Sequence, residues 1–305
     1  MQLTSRTSVA ILLLAATAAA GGCGRGPASP TPGGVVVGVG LLPYRWLVEQ
    51  IGGNRVDVVT LVKPGDSAEL YQPTDAEVTR LMQAAVYFRT GMPFERGPWL
   101  DALQANPRIK LVDLRAGIEL RPMESHAHGE AADRDAHAAH AADDPHVWLS
   151  PRLLKTQART VAETLQGLDP DHAKDYQENL RVLEARLDQA DRSIREKLQP
   201  LRGKAGKAMF VFHPAWGYFA DEYGLRQVAI QIEGKEPTDQ ELTELQEQAR
   251  RQKVKVIFVQ PQFAAGAAEA VARAIGARVE PLDDLAPDVL AGLLETARKV
   301  ADAYR

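Results

Sequence analysis

One unbroken apolar stripe, which begins just after Pro170, constrains the fold of this chain more than any other feature. Its members recur at every third or fourth position: Ala173, Tyr176, Leu180, Leu183, Leu187, Ala190, Ile194, Leu198 and Leu201. This spacing predicts one amphipathic helix of about thirty residues, roughly 45 Å long at 1.5 Å per residue. A helix that only connects two neighbouring strands can be much shorter than this. We therefore expect a helix that lies along two lobes of its own chain, with a coiled-coil partner as the alternative.

Short apolar runs alternate with helical patterns on both sides of this helix. The predicted strands are residues 35–39, 56–62, 86–89, 109–114, 209–212, 254–259 and 278–282. Thr-x-x-Glu capping boxes beginning at Thr74 and Thr238 open two of the intervening helices. Such β-α-β repetition implies parallel sheets covered by helices on both faces. The predicted fold class is α/β, with two Rossmann-like lobes over residues 35–168 and 202–305 joined by a long backbone helix over residues 169–201.

Composition limits the function. A chain of 305 residues, of which 45% are hydrophobic and 25% charged, can build two domains with real cores. Its net charge of -4 provides no basic surface for nucleic acid. We expect a monomer without a nucleic-acid partner.

The N-terminal residues predict export. Arg6 precedes an apolar run over residues 9–20 that has the form of a secretory signal and is too short for a membrane span. Cys23, the only cysteine, follows three small residues at the predicted cleavage site, as in the lipobox of bacterial lipoproteins. The alternative is a cleavage site beside an unrelated thiol. We predict a signal peptide over residues 1–23, a flexible tether over residues 24–34, and a lipid anchor on Cys23 in the periplasm or cell envelope.

Five of the seven histidines lie between residues 124 and 149. Four belong to a loop rich in Ala, Asp and Glu over residues 124–144: His126, His128, His137 and His140. A loop of this composition indicates an auxiliary site for a borderline transition metal, and the alternative is a polar insertion in which histidine is incidental. The fifth, His146, is fixed between Pro145 and a predicted helix start at Ser150.

Three further candidate ligands follow predicted strands: Glu69, His213 and Asp283. Ligands of parallel α/β sheets bind outside the carboxyl ends of strands, so these residues and His146 could converge in one interlobe cleft. Two imidazoles and two carboxylates can enclose and neutralise a divalent cation. Each of the four could instead be an ordinary cap or surface residue.

Several motifs resemble one known family. The run from Asp144 to Pro151, DPHVWLSP, is similar to a signature of the metal-specific solute-binding proteins of ABC importers, the zinc and manganese (ZnuA/TroA-like) family. HPAWGYFA from His213, EGKEP from Glu233 and LDDL from Leu282 match further motifs of that family in the same order. The histidine-rich insertion also resembles one found in the zinc-binding members of that family. The resemblance covers about residues 35–305.

Carried over residue by residue, the resemblance implies that His146, His213 and Asp283 are metal ligands. The first-lobe loop departs from the family, because Glu69 stands where a histidine is expected. Glutamate oxygen is a competent zinc donor, although two His, one Glu and one Asp also make up the family's manganese sites. We expect Zn²⁺, with Mn²⁺ as the alternative, because the histidine-rich loop suits zinc better. Gln260 and Asp284 also depart, replacing a frequent glutamate and the usual proline.

The resemblance implies a binding protein that captures a divalent metal and delivers it to a membrane permease, and that is no enzyme. Two other classes remain open. A secreted zinc hydrolase would need an open ligand position with Glu69 as general base, and the chain lacks a His-Glu-x-x-His helix. A metal-linked surface adhesin would be compatible with the same site and with a lipid anchor.

Overall fold

The computed structural model describes residues 34–123, 143–201, 207–231 and 238–305. Several predictions lie outside the described residues: the signal peptide with Cys23, most of the tether, the turn at residues 233–237, and the loop histidines His126, His128, His137 and His140. No helix within the described ranges is both long and apolar enough to cross a membrane.

The first lobe is built on a four-stranded parallel sheet in the order β2-β1-β3-β4. Its strands are β1 (Val35–Val39), β2 (Val56–Thr60), β3 (Val86–Arg89) and β4 (Lys110–Asp113). Its helices are α1 (Leu42–Gly52), α2 (Asp75–Leu81), α3 (Pro98–Gln104) and α4 (Pro151–Leu168). The central strands are apolar runs because both faces of the sheet are covered, as in parallel α/β sheets generally.

The second lobe repeats this plan with a parallel sheet in the order β6-β5-β7-β8. Its strands are β5 (Ala208–Val211), β6 (Arg226–Ala229), β7 (Val256–Val259) and β8 (Arg278–Pro281). Its helices are α6 (Gly217–Tyr223), α7 (Asp239–Arg251), α8 (Gly266–Ile275) and α9 (Val289–Ala303). The predicted α/β fold with two parallel sheets is thereby confirmed.

The long helix α5 (Ala173–Leu198) joins the two lobes and is flanked by 3-10 turns at Pro170–His172 and Gln199–Leu201. Its buried stripe consists of Tyr176, Leu183, Leu187, Ala190, Ile194 and Leu198. The helix packs against α1 and α4 of the first lobe and against α6 and α9 of the second. Its own chain therefore covers the stripe, which confirms the expected backbone helix.

Local signals predicted several helix starts correctly. Thr74 and Glu77 form a reciprocal capping box at the start of α2, and Thr238 and Glu241 form another at α7. The Ser150 hydroxyl accepts a hydrogen bond from the peptide N–H of Leu153 and begins α4. Each cap satisfies a backbone donor that the first helical turn leaves unpaired.

The sequence did not predict α6 or β6. Helix α6 has only seven residues, and β6 is an edge strand that begins with Arg226 and Gln227. Neither is long enough to show a clear hydrophobic period. The elements matter because α6 directly follows the His213 segment and forms part of the interlobe contact.

Candidate metal-binding site

Three of the four predicted ligands meet between the lobes. The Nε2 atom of His213 lies 3.3 Å from Nε2 of His146 and 3.4 Å from Oε1 of Glu69. Both histidines are buried, and the Glu69 side chain is 17% exposed. His146 and Glu69 come from loops of the first lobe, whereas His213 follows β5 of the second. That these residues bind a metal stays a prediction.

The distances fit two edges of a zinc coordination tetrahedron. With bonds of about 2.0–2.1 Å, two ligand atoms on a tetrahedral Zn²⁺ lie roughly 3.3–3.4 Å apart. Within the described ranges, however, no group of three or more His, Cys, Asp or Glu side chains already surrounds a common point. The structure therefore shows two ligand-to-ligand distances of the kind a zinc site requires. The side chains would still have to move for all three to bind one ion.

Asp144 orients the imidazole of His146. Its Oδ1 lies 2.7 Å from Nδ1 of His146 and accepts the peptide N–H of the same residue at 3.0 Å. Asp144 is fully buried. This contact favours a proton on Nδ1 and leaves Nε2, which lies 3.3 Å from His213 Nε2, as the free nitrogen, the arrangement usual for metal-ligating histidine.

Arg121 connects this support to the second lobe. Its Nη1 donates to Asp144 Oδ2 at 3.0 Å, and its Nε lies 2.9 Å from Asp221 Oδ2 on α6. The Tyr218 hydroxyl, also on α6, donates to the Asp144 carbonyl at 2.8 Å. Gly217 makes room for the guanidinium, because a Cβ there would overlap Arg121 Nη1. The orientation of His146 therefore depends on both lobes.

Gln260 fixes the backbone of His213. Its Oε1 accepts the His213 N–H at 3.2 Å, and its Nε2 donates to the His213 carbonyl at 3.0 Å. Gln260 is fully buried. An ionised glutamate, frequent here in the family that the sequence resembles, could make the first bond but not the second. The His213 ring stacks on Phe263, with centroids 5.2 Å apart.

The pKa values of the two imidazoles shift in opposite directions. Burial favours neutral His146, but the hydrogen bond and charge of Asp144, with Asp284 and Glu69, outweigh this effect and raise its pKa. Burial and the nearby charge of His146 lower the pKa of His213 to about 3. Burial raises the pKa of Glu69, against the opposing charge of His146. His213 is thus ready to donate its lone pair at neutral pH, whereas His146 holds its second proton more firmly than an ordinary histidine does.

The fourth predicted ligand, Asp283, does not join this group. Asp283 is exposed, and its Oδ1 accepts the peptide N–H of Leu285 at 2.9 Å. The neighbouring Asp284 is buried instead. Its carbonyl accepts the Trp148 indole N–H at 2.7 Å, and the Trp148 ring lies 5.1 Å from that of His146. Asp283 as a ligand stays a prediction that the structure leaves open.

The supporting residues were not among the predicted site residues. Asp144 could have been found, because a carboxylate two positions before a fixed histidine can reach its Nδ1 within one turn. The interaction of Gln260 with His213 joins the ends of two strands and depends on their positions in the sheet. Sequence spacing alone does not reveal it.

Comparison with known proteins extends over almost the whole described chain. The family described as "Zinc-uptake complex component A periplasmic" matches residues 37–303. A crystal structure of ZnuA is 38% identical, covers 89% of this chain and 100% of its own, and has a TM-score of 0.80. An internal deletion mutant of ZnuA, crystallised with zinc bound, is 36% identical, covers 88% of this chain and 98% of its own, and has a TM-score of 0.78. The high-affinity zinc uptake system protein ZnuA of Bacillus subtilis is 28% identical over 247 residues, which is 80% of this chain and 76% of that protein.

Proposed function

Because the chain belongs to the family of periplasmic zinc-uptake component A proteins, we propose that it captures Zn²⁺ between its lobes and delivers it to the permease of an ABC importer. The family is one of metal-binding transport components. The observation that carries the zinc assignment is the spacing of Glu69, His146 and His213 along two edges of a zinc tetrahedron.

The same geometry supports capture rather than hydrolysis. Glu69 lies within 3.4 Å of His213 Nε2, where a metal ligand belongs, and this leaves it poorly placed to act as a base on a bound water. Two imidazoles and carboxylate oxygens form a borderline donor set that suits zinc better than manganese. Mn²⁺ is the alternative cargo, because Glu69 adds an oxygen donor where the family has nitrogen.

Two accessory features belong to the proposal. The loop histidines His126, His128, His137 and His140 collect zinc and pass it to the site, and Cys23 carries the lipid that holds the protein at the cell envelope as a monomer. If deletion of residues 124–143 left zinc stoichiometry and uptake at low zinc unchanged, the loop would have no such role. Release of a Cys23→Ala variant from the membrane fraction would support the anchor.

The first test is metal content and competition on the purified protein, as isolated and after stripping. One tightly bound Zn²⁺, weakened at least about tenfold by Glu69→Ala, is the expected result. Glu49→Ala, an exposed glutamate on α1 of the same lobe, is the control and should bind zinc as the wild type does. Tight binding of Mn²⁺ with weak binding of Zn²⁺ would refute Zn²⁺ as the cargo. No binding of any divalent metal would refute the proposed function.

A growth experiment tests the transport role. A strain that lacks this protein should grow poorly in chelated medium and recover when zinc is added. Normal growth under chelation would favour an adhesin or another surface role for the same fold.

A further inference from the structure

The two nitrogens of the His213 imidazole have different surroundings. Nε2 lies 3.3 Å from Nε2 of His146 and 3.4 Å from Oε1 of Glu69. Nδ1 is buried and has no hydrogen-bond partner among the described residues. Because a buried polar atom without a partner is costly, nearly all such atoms are paired in folded proteins. The Nδ1 atom of His213 therefore calls for a partner close by.

Gln231 carries a second buried atom of this kind. The residue is 6% exposed, and its Oε1 also lacks a hydrogen-bond partner within the described ranges. An amide oxygen can only accept a hydrogen bond, and a neutral imidazole with its proton on Nδ1 donates from that atom. The unpaired atoms of His213 and Gln231 are therefore chemically complementary.

The second sheet places these two residues side by side. Strands β5 and β6 pair in parallel, with Val211 opposite Ala229. The peptide N–H of Gln231 donates to the Phe212 carbonyl at 2.8 Å, so the contact continues past the ends of both strands. The same register, continued by two residues, sets Gln231 beside His213 and on the same side of the sheet.

The pKa of His213 agrees with this contact. Burial and the nearby charge of His146 lower that pKa, and the Gln231 side chain opposes them as a hydrogen-bond partner. Asp144 has the corresponding position at His146, with its Oδ1 2.7 Å from Nδ1 of that ring. A neutral amide can hold the His213 ring in the same way without burying a second negative charge.

We propose that Gln231 is the positioning residue of His213: its Oε1 accepts the Nδ1–H, fixes the ring and leaves the Nε2 lone pair free to bind the metal. This inference rests on the proposed function, in which His213 is a ligand. The bond satisfies both unpaired atoms at once. Gln260 already holds the backbone of His213, so the residues that follow the two neighbours of β5 hold the main chain and the ring of one ligand.

Two substitutions of Gln231 separate its acceptor oxygen from its size. Gln231→Met keeps the length of the side chain and removes the acceptor, whereas Gln231→Glu keeps an acceptor oxygen. Gln240→Met, at an exposed glutamine on α7 of the same lobe, is the control. Zinc affinity is measured at pH 8 on the purified proteins by competition with a chromophoric chelator, and urea unfolding of the metal-free proteins monitors their folding.

The ring nitrogens supply a readout that a merely structural role would not change. In ¹⁵N spectra of the metal-free protein at pH 8, a protonated and a bare imidazole nitrogen have distinct shifts. The His213 signals are identified by their loss in a His213→Gln variant. We expect the wild type to carry the His213 proton on Nδ1, and Gln231→Met to show a mixture of the two tautomers.

We expect Gln231→Met to weaken zinc binding by about 10–100-fold, as for other partners of metal-ligating histidines. Gln231→Glu should bind zinc within about threefold of the wild type, and so should Gln240→Met. Wild-type affinity in a folded Gln231→Met protein, or an equal loss in Gln231→Glu or in the control, would overturn the proposal.

The ring spectra decide the outcome even if Gln231→Met does not fold. A wild-type His213 with its proton on Nε2 would overturn the proposal without any variant of Gln231. A wild-type protein that binds no zinc would instead refute the proposed function, and a His213 proton on Nδ1 would then show that the hydrogen bond exists without that role.

Discussion

Substitution of Asp144 by asparagine tests how far the support behind His146 sets metal affinity. The Asp144 carboxylate accepts three hydrogen bonds at 2.7–3.0 Å, two from His146 and one from Arg121, and is fully buried. Asparagine has one acceptor oxygen, which can retain the two bonds to His146. Its amide nitrogen then faces Arg121 Nη1, donor against donor, and the negative charge is lost.

Two consequences of this change oppose each other. Without the Asp144 charge, the pKa of His146 falls, so protons compete less with zinc. The imidazole also becomes a weaker and less firmly oriented ligand, which should cost about 10–100-fold in zinc affinity, or about 1.4–2.7 kcal/mol. The first effect shrinks as the pH rises, so the loss of zinc affinity should be larger at pH 8 than at pH 6.

The assay is chelator competition at both pH values, combined with urea unfolding of the metal-free protein. We expect the free energy of unfolding to fall by about 1–3 kcal/mol, because Arg121 loses a buried charged acceptor. The control is Asp143→Asn, which removes the adjacent, exposed carboxylate. Unchanged affinity of a folded Asp144→Asn protein at pH 8, or an equal loss in the control, would refute the argument.

Three further predictions follow from the same surroundings. Gly217→Ala should displace the Arg121 guanidinium, which would weaken zinc binding and lower the free energy of unfolding in the same competition and urea assays. The control Gly167→Ala, which has open space at its Cβ, should be neutral or stabilising. Gln260→Glu should cost about 1–2 kcal/mol in unfolding and about tenfold in zinc affinity, because an ionised carboxylate cannot donate to the His213 carbonyl; wild-type values for both would contradict this. The third concerns pH. His213, with a pKa of about 3, stays neutral, so only His146 should release a proton when zinc binds. Competition titrations from pH 8 to 6 should therefore show zinc affinity falling by about tenfold per pH unit below the raised pKa of His146, which corresponds to one proton per zinc rather than two.

Features encoded by neighbouring residues could be predicted from the sequence. The capping boxes at Thr74 and Thr238 involve residues three positions apart, and the long helix shows its stripe over many turns. The convergence of His146 and His213 could also be expected, since it follows from the rule that parallel strands end on the binding side of a sheet. That rule places segments and not individual side chains.

Features that depend on side-chain direction could not be predicted. Asp283 and Asp284 are chemically identical and adjacent, so only the conformation of the segment after β8 decides which of the two is buried. The bridge from Asp144 through Arg121 to Asp221 joins α6, which has only seven residues and no clear period, to the first lobe. This bridge can be predicted only if the relative position of the lobes is known, and neither the spacing of residues nor the composition of the chain gives that position.

The burial of α5 between the lobes also has a consequence for the order of folding. The main hydrophobic core includes residues of both sheets. Helix α5 packs against α1 and α4, which precede it in the chain, and also against α9, the last helix described. During synthesis, the part of α5 that α9 covers has no partner from that helix until α9 has been made. The nascent chain therefore cannot bury the whole stripe before then. We expect the two lobes to unfold in a single cooperative transition, and nascent chains shortened before α9 to be readily cleaved by proteases.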